Sequence, residues 1–274
     1  PRELDGRLVG EATFKLPESL PPGYHRLVLL NGTNRFETTL IVSPRVLGMP
    51  AALGTRRIWG YAAQLYSLHS AGSWGVGDLT DLADLAVWSA TQQSAGYVQV
   101  NPLHAAEAEP PITPSPYLPT SRLFGNPLYI RPEAIPEFGN LDADTRRRIA
   151  ELHSGLMDST AASDLIQRDP AWLAKRAALR LIYQAGRRAA RQMAFEGFRH
   201  RQGRSLRDFA TWWVLCGYLG NDWREWAPEY RRPTSPEVTA FRQEHADEID
   251  FVEWLQWVLA DQLSEVQCTA RDAG

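Results

Sequence analysis

The side chains best able to do chemistry in this 274-residue chain crowd into Asn101 to Ile130, NPLHAAEAEPPITPSPYLPTSRLFGNPLYI. The amides of Asn101 and Asn126 can both donate and accept, which suits sugar hydroxyls; the other reading is that they tie down the loop backbone. His104 reads as a hydrogen-bonding group in preference to a proton relay. Ser115-Pro116-Tyr117, flanked by Pro114 and Pro119, offers a rigid aromatic face with a hydroxyl. Taken alone, that tripeptide reads as a Pro-rich turn whose Tyr packs on the core. Retaining glycosyl transfer needs two carboxyls about 5–5.5 Å apart, a nucleophile and an acid/base. Glu107 and Glu109 lie in this loop, but nothing in the sequence fixes their separation. Asp78, Asp81 and Asp84 read as helix caps and a solvated helix face. No catalytic residue is assigned among these five carboxylates. No Cys or second His stands at metal-ligand spacing, so no metal site is expected. Gly72, Gly75 and Gly77 do not have the spacing of a phosphate loop or dinucleotide fingerprint.

The elements that carry this loop read as α/β. Arg57 to Tyr66 is a buried strand, and Gly72 to Gly77 a flexible loop. Asp78 caps a helix with Asp81 at its third position, and Leu79, Leu82, Leu85, Ala86 and Trp88 follow at helical spacing. Gly96 releases the chain into a second strand, Tyr97 to Val100. Strand, helix, strand is a βαβ unit with parallel strands, and loops at the carboxyl ends of such strands bind ligands.

Upstream, residues 1–45 read as β. Strands from Gly23 to Leu30 and from Arg35 to Val42 flank an Asn31-Gly32 turn, with Phe36, Thr38, Leu40 and Val42 on one face. A hairpin alone is marginal in water, so these strands are expected to belong to a small β-sandwich. Residues 45–56 read as a linker. Downstream the pattern is helical. Asp142 or Asp144 opens one helix. Asp169-Pro170 caps a second, reaching about Phe195. Ser205 and Asp208 form a capping box ahead of Phe209, Trp212 and Trp213. After Pro228, Pro233 and Pro236, a final helix runs from Glu237 to Ala273, interrupted near Ala246–Asp247.

Only two strands fit a parallel barrel, which needs eight. The expected layout is therefore the start of a (β/α)8 barrel with a large helical insertion, preceded by β-sandwich strands. Its bounds are 1–45, 46–139, 140–248 and 249–274, the last leading to a third strand. Without an initiator Met the chain is expected to start internally, and to end before the chemistry.

Composition excludes several classes. With 44% hydrophobic and 22% charged residues, the chain is globular. No apolar run approaches the roughly 20 residues of a spanning helix, and the first residues lack a signal-peptide core. A net charge of -3 gives no push toward nucleic acid or membrane. The basic run Lys175, Arg176, Arg180, Arg187, Arg188, Arg191, Arg199, Arg201, Arg204 and Arg207 reads as the outer face of amphipathic helices, with Leu173, Leu179, Ile182 and Met193 inward. Cys216 and Cys268, each in an apolar helical run, are expected to be buried, unpaired thiols of a reducing cytosol. Most of the ten Trp are expected in the core.

Five segments together resemble the amylomaltase family of 4-alpha-glucanotransferases. They are Gln64 to Leu68, Ser73 to Leu79, Asn101 to Ala105, Pro114 to Tyr117, and Ser121 to Ile130. The resemblance implies a (β/α)8 barrel acting on maltodextrin or another alpha-1,4-glucan in the cytoplasm, with no redox or metal cofactor. It implies a retaining reaction in which an aspartate attacks and a glutamate protonates. It places Ser115 and Tyr117 at the donor sugar; Asn101, His104 and Asn126 remain substrate-binding candidates by residue type and by their place in the loop. Some members carry a Tyr three residues before this serine for a second glucan; here Ile112 stands there. The family's catalytic carboxylates match nothing before Gly274, so the 274 residues alone are expected to be inactive. A non-catalytic carbohydrate-binding or scaffold role is the alternative. Self-association through open strand edges is also expected.

Overall fold

The computed structural model describes residues 2–4, 6–10, 12–49 and 57–274. The chain forms two compact units, Pro1–Arg57 and Ile58–Gly274. The expected 45–56 linker falls largely on residues 50–56, outside the described residues.

In the first unit, β1 (Arg2–Leu4) pairs with β2 (Arg7–Val9), and β3 (Gly23–Asn31) with β4 (Asn34–Val42), all antiparallel. Asn31 faces Asn34 across the ladder, so the two loop residues are Gly32 and Thr33, one later than the sequence suggests. Gly32 alone takes positive φ there, +58°. On the expected apolar face, Leu29 pairs with Phe36, a cross-strand contact that steadies a ribbon. Phe36 remains 57% exposed, and Leu40 and Val42 are half-buried.

The second unit carries the site. Parallel strands β5 (Tyr61–Ala63) and β6 (Val98–Val100) flank α1 (Leu79–Gln93), as the sequence reading expects, but β5 is much shorter than Arg57 to Tyr66 and is not buried, with Ile58 and Trp59 exposed before it. Asp78 and Asp81 form a reciprocal capping box, satisfying orphan N–H groups of the first turn. Neither carboxylate is a solvated cap, however: Asp78 and Asp81 are both buried, and only Asp84 is exposed. Trp88 departs from the predicted inner face; it is exposed and leans on Tyr61. Helix α1 ends at Ser94, whose φ is +55°, two residues before the expected Gly96. After β6, the short β7 (His104–Ala105) pairs antiparallel with β8 (Ser121–Gly125), closing the Pro-rich loop at its base.

The helical block contains α2 (Ala143–Thr160), α3 (Arg168–Gln184), α4 (Ala189–Leu219) and α5 (Pro236–Glu244). Asp142 caps α2 through the Thr145 N–H at 2.8 Å. Three expectations fail here. Asp169 lies inside α3 and does not cap it. Helix α3 stops at Gln184, ahead of a turn at Gly186 with φ +79°. The Ser205 capping box is replaced by a kink at Gly203, φ +59°, inside α4, and Asp208 pairs with Arg204 and Arg242 instead.

The expected break before the last helix is present: His245 separates α5 from α6 (Ala246–Ala273). Helix α6 packs on α1 and α4. From Phe251 to Leu259 it is buried on every side, and the two polar residues there are partnered, Glu253 with Arg199 and Gln256 with Gly125, as buried polar groups must be. Six of the ten Trp are buried: Trp74, Trp172, Trp213, Trp226, Trp254 and Trp257.

The basic run is not a free charged face. Lys175 is fully buried, while Arg180, Arg187, Arg191 and Arg199 pair with carboxylates of α6. Arg191 also lies 4.1 Å over the Trp257 ring, a cation–π contact. The predicted inward residues Leu173 and Met193 are exposed; Leu179 and Ile182 are buried. Cys216 is buried, its thiol pushed up to about 12 by burial. Cys268, expected to be buried, is exposed. Among the described residues no helix is long and apolar enough to cross a membrane.

Candidate functional site

The loop from Asn101 to Arg131 is held at both ends by buried hydrogen bonds. Asn101, 7% exposed, accepts from the Leu65 N–H at 2.7 Å and donates to Tyr129 Oη at 3.1 Å. Its amide thereby joins the end of β6 to the turn after β5, which is the backbone-tying reading. Asn126 Oδ1 likewise accepts from the Leu128 N–H at 3.0 Å, capping the short turn Pro127–Tyr129. Its amide nitrogen has no partner among the described residues.

Two glutamines of α6 clamp the far end. Gln256 accepts from the Gly125 N–H and donates to the Gly125 carbonyl, both at 3.0 Å. Gln262 does the same to Arg131, at 3.0 and 2.8 Å. Each amide acts as a strand edge would, pairing one donor and one acceptor. The approach is close enough that a Cβ on Gly125 would lie 2.3 Å from a methyl of Leu259, so any larger residue would push that side chain of α6 aside.

Beneath the clamp is a buried charge cluster. Arg131 donates to Asp78 at 2.5 Å and to Asp81 at 3.0 Å. Burial pushes the Asp81 carboxyl up, but hydrogen bonds from Ser70, the Asp78 N–H and Ser73, with the Arg131 charge, hold it below its usual range. These contacts also bury Ser73 and Trp74, so Gly72–Gly77, predicted to be flexible, is packed. Lys175 reaches up from α3 to donate to the Leu128 carbonyl at 2.6 Å. Burial lowers its pKa from 10.5 to about 8.

The middle of the loop is pinned on one side. The Ile112 N–H donates to Asp169 at 2.8 Å, the Trp172 indole to the Ala108 carbonyl at 3.2 Å, and Asn221 to the Glu109 carbonyl at 2.7 Å. The two loop glutamates are also engaged: Glu107 accepts from Thr113, and Glu109 pairs with Arg176. Above them stands an exposed crest. Ser115 is exposed, Tyr117 is 61% exposed and Leu118 is 79% exposed. The Tyr117 ring therefore does not pack on the core, against the turn reading of the tripeptide.

His104, Ser115 and Asn126 line one cleft with Tyr66, Ile112 and Arg168. Asn101 lies behind it and Tyr117 stands outside it. The enclosed space is about 20 Å³, room for one water molecule, so the cleft is a polar notch beside the crest and not a full sugar pocket. Tyr66 and Arg168 are cleft residues that the loop sequence does not disclose. The Arg168 guanidinium sits 4.9 Å over the Tyr66 ring, and it comes from the helical block. The notch offers an imidazole, a hydroxyl, an amide and aromatic faces. No carboxylate pair faces it free of partners among the described residues. The arrangement suits binding of a neutral polyol more than bond cleavage.

A model of the 4-alpha-glucanotransferase family matches residues 63–274, and a model of the MalQ N-terminal beta sandwich domain matches residues 1–44. The curated 4-alpha-glucanotransferases of Mycobacterium bovis and Mycobacterium tuberculosis are 50% identical over 280 residues, covering 100% of this chain and 38% of theirs. The crystal structure of amylomaltase from Corynebacterium glutamicum matches with a TM-score of 0.76 and 38% identity, over 94% of this chain and 35% of that one. Amylomaltase from Streptococcus agalactiae in complex with acarbose shares the fold, with a TM-score of 0.60 and 20% identity over 80% of this chain and 42% of its own. The chain thus spans about 38% of the length of the curated relatives it matches.

Proposed function

The chain belongs to the 4-alpha-glucanotransferase family, and from that premise we propose that it cradles the donor end of a maltodextrin in an enzyme that moves 1,4-alpha-glucan segments between maltodextrins. One observation carries this reading: a rigidly anchored loop presents the exposed Ser115-Pro116-Tyr117 crest beside the His104, Ser115 and Asn126 notch. An exposed phenol ring gives a stacking face, and the notch gives hydroxyl partners. Retaining transfer needs a nucleophile and an acid/base, and we assign neither here. Asp78 and Asp81 are occupied by Arg131, Glu109 by Arg176, and Glu107 by Thr113.

On this reading β5, α1 and β6 open a (β/α)8 barrel. Residues 46–139 form its first two units, 140–248 an insertion, and 249–274 the return helix, with 1–45 belonging to the β-sandwich. Parallel pairing of β5 with β6 and the packing of α6 on α1 support it. The free thiols Cys216 and Cys268 support a cytosolic setting. Incubated with maltotriose, the 274 residues alone are expected to form neither glucose nor longer maltodextrins; glucose release would overturn the absence of a catalytic pair. Calorimetry with maltoheptaose is expected to show binding, and its absence would overturn the cradle.

Among the described residues β5 and β6 pair only with each other, leaving open edges that invite a second chain. We infer self-association through them. Sedimentation should show concentration-dependent oligomers, and a monomer at all concentrations would refute it.

A further inference from the structure

Beside the base of the loop, between β8, α4 and α5, lies a second cavity of about 550 Å³. That volume falls within the roughly 300–1,000 Å³ of ligand sites. Its floor is the stacked pair Phe124 and Phe209, with ring centroids 4.3 Å apart. Its rim carries Trp212, Trp223 and Tyr230, and Trp223 is 51% exposed. Among the described residues Trp223 has no aromatic partner, and neither its indole N–H nor the Tyr230 hydroxyl has a hydrogen-bond partner. Arg231, also on the rim, spends Nε on the Trp226 carbonyl at 2.7 Å and keeps its two terminal nitrogens for a ligand. The acid in the wall, Asp208, is already neutralised by Arg204 and Arg242.

We propose that this aromatic cavity is an auxiliary binding site for a segment of alpha-1,4-glucan. Flat aromatic rings with unspent N–H and O–H groups at their edges fit the apolar faces and peripheral hydroxyls of pyranose rings. The cavity is also continuous with the loop already assigned to substrate: Thr120 and Ser121 line it, while the neighbouring Pro119 lines the notch. A glucan held at the crest would have its continuation beside this second aromatic surface. The inference rests on the reading that the chain handles alpha-glucans, and the test separates the two.

Maltoheptaose is titrated calorimetrically into the 274-residue chain, its Trp223→Ala and Tyr230→Phe variants, and a Ser115→Ala, Tyr117→Ala double variant. Two binding events are expected in the parent chain. Trp223→Ala should weaken one of them about tenfold, the loss of one aromatic stack, at an unchanged melting temperature, and Tyr230→Phe should weaken the same event less. The double variant should weaken the other event. Unchanged titrations for both rim variants, with weakening in the double variant, would overturn the auxiliary site and leave the cradle standing. No maltoheptaose binding by the parent chain would overturn both.

Discussion

The two ends and the middle of the Asn101–Arg131 loop behave as different materials. At the ends, Asn101, Gly125 and Arg131 are locked by paired hydrogen bonds and buried charge. In the middle, Ser115 to Leu118 stand in solvent, backed by Asp169, Trp172 and Asn221 on one side. The same run of sequence thus holds residues that build the platform and residues left free for a ligand. Anchoring and recognition are largely separable here: Asn101 is spent on protein partners and Tyr117 on none, and only Asn126 does both, capping a turn while it lines the notch.

The largest break in that contrast should come from Arg131→Met. Removing one partner of a buried ion cluster costs about 3–5 kcal/mol, because Asp78 and Asp81 are left buried and unpaired. Urea unfolding should show this loss; a change below about 1 kcal/mol would mean the ends are not anchored electrostatically. Asn101→Ala should cost about 1–3 kcal/mol, the penalty for stranding the buried Leu65 N–H. Its effect on maltoheptaose binding should be indirect and scale with that stability loss.

Lys175 gives a pH-dependent version of the same test. Folding lowers its pKa from 10.5 to about 8, so between those values the unfolded chain holds the extra proton. Stability contributed by this site therefore rises as pH climbs from about 8 to 10.5, and below about 8 the buried ammonium carries its full desolvation cost. Relative to Lys175→Met, the parent chain should gain stability across that window; parallel curves would refute the buried assignment. Tyr117→Ala should do least to the fold, within about 0.5 kcal/mol, while weakening maltoheptaose binding about tenfold.

Local signals were legible where the partner lies close in sequence. The Asp78–Asp81 box, the Asp142 cap and the interruption at His245 all follow from residues a few positions apart. The same holds for the parallel pairing around α1. Signals failed where the deciding partner is remote. Lys175 sits at helical spacing among arginines, and only the fold brings the Leu128 carbonyl to it. Asp169 looks like a cap because Pro170 follows, yet its acceptor is claimed by Ile112 of the loop. Gln256 and Gln262 were not legible either, because Glu253 and Asp261 share their run of α6 and only the fold brings Gly125 and Arg131 to the two amides. Ser115, His104 and Asn126 were readable as neighbours. Arg168 was not, because nothing in its own helix points to Tyr66.

The paired amides at Gly125 and Arg131 carry one more implication. A splint that must give a hydrogen and take a hydrogen at the same peptide admits no acid in its place, since glutamate would set oxygen against oxygen. With two such splints from a single rod, tilting α6 would tow the whole arch as cargo, and a disturbance at one would be felt by the other.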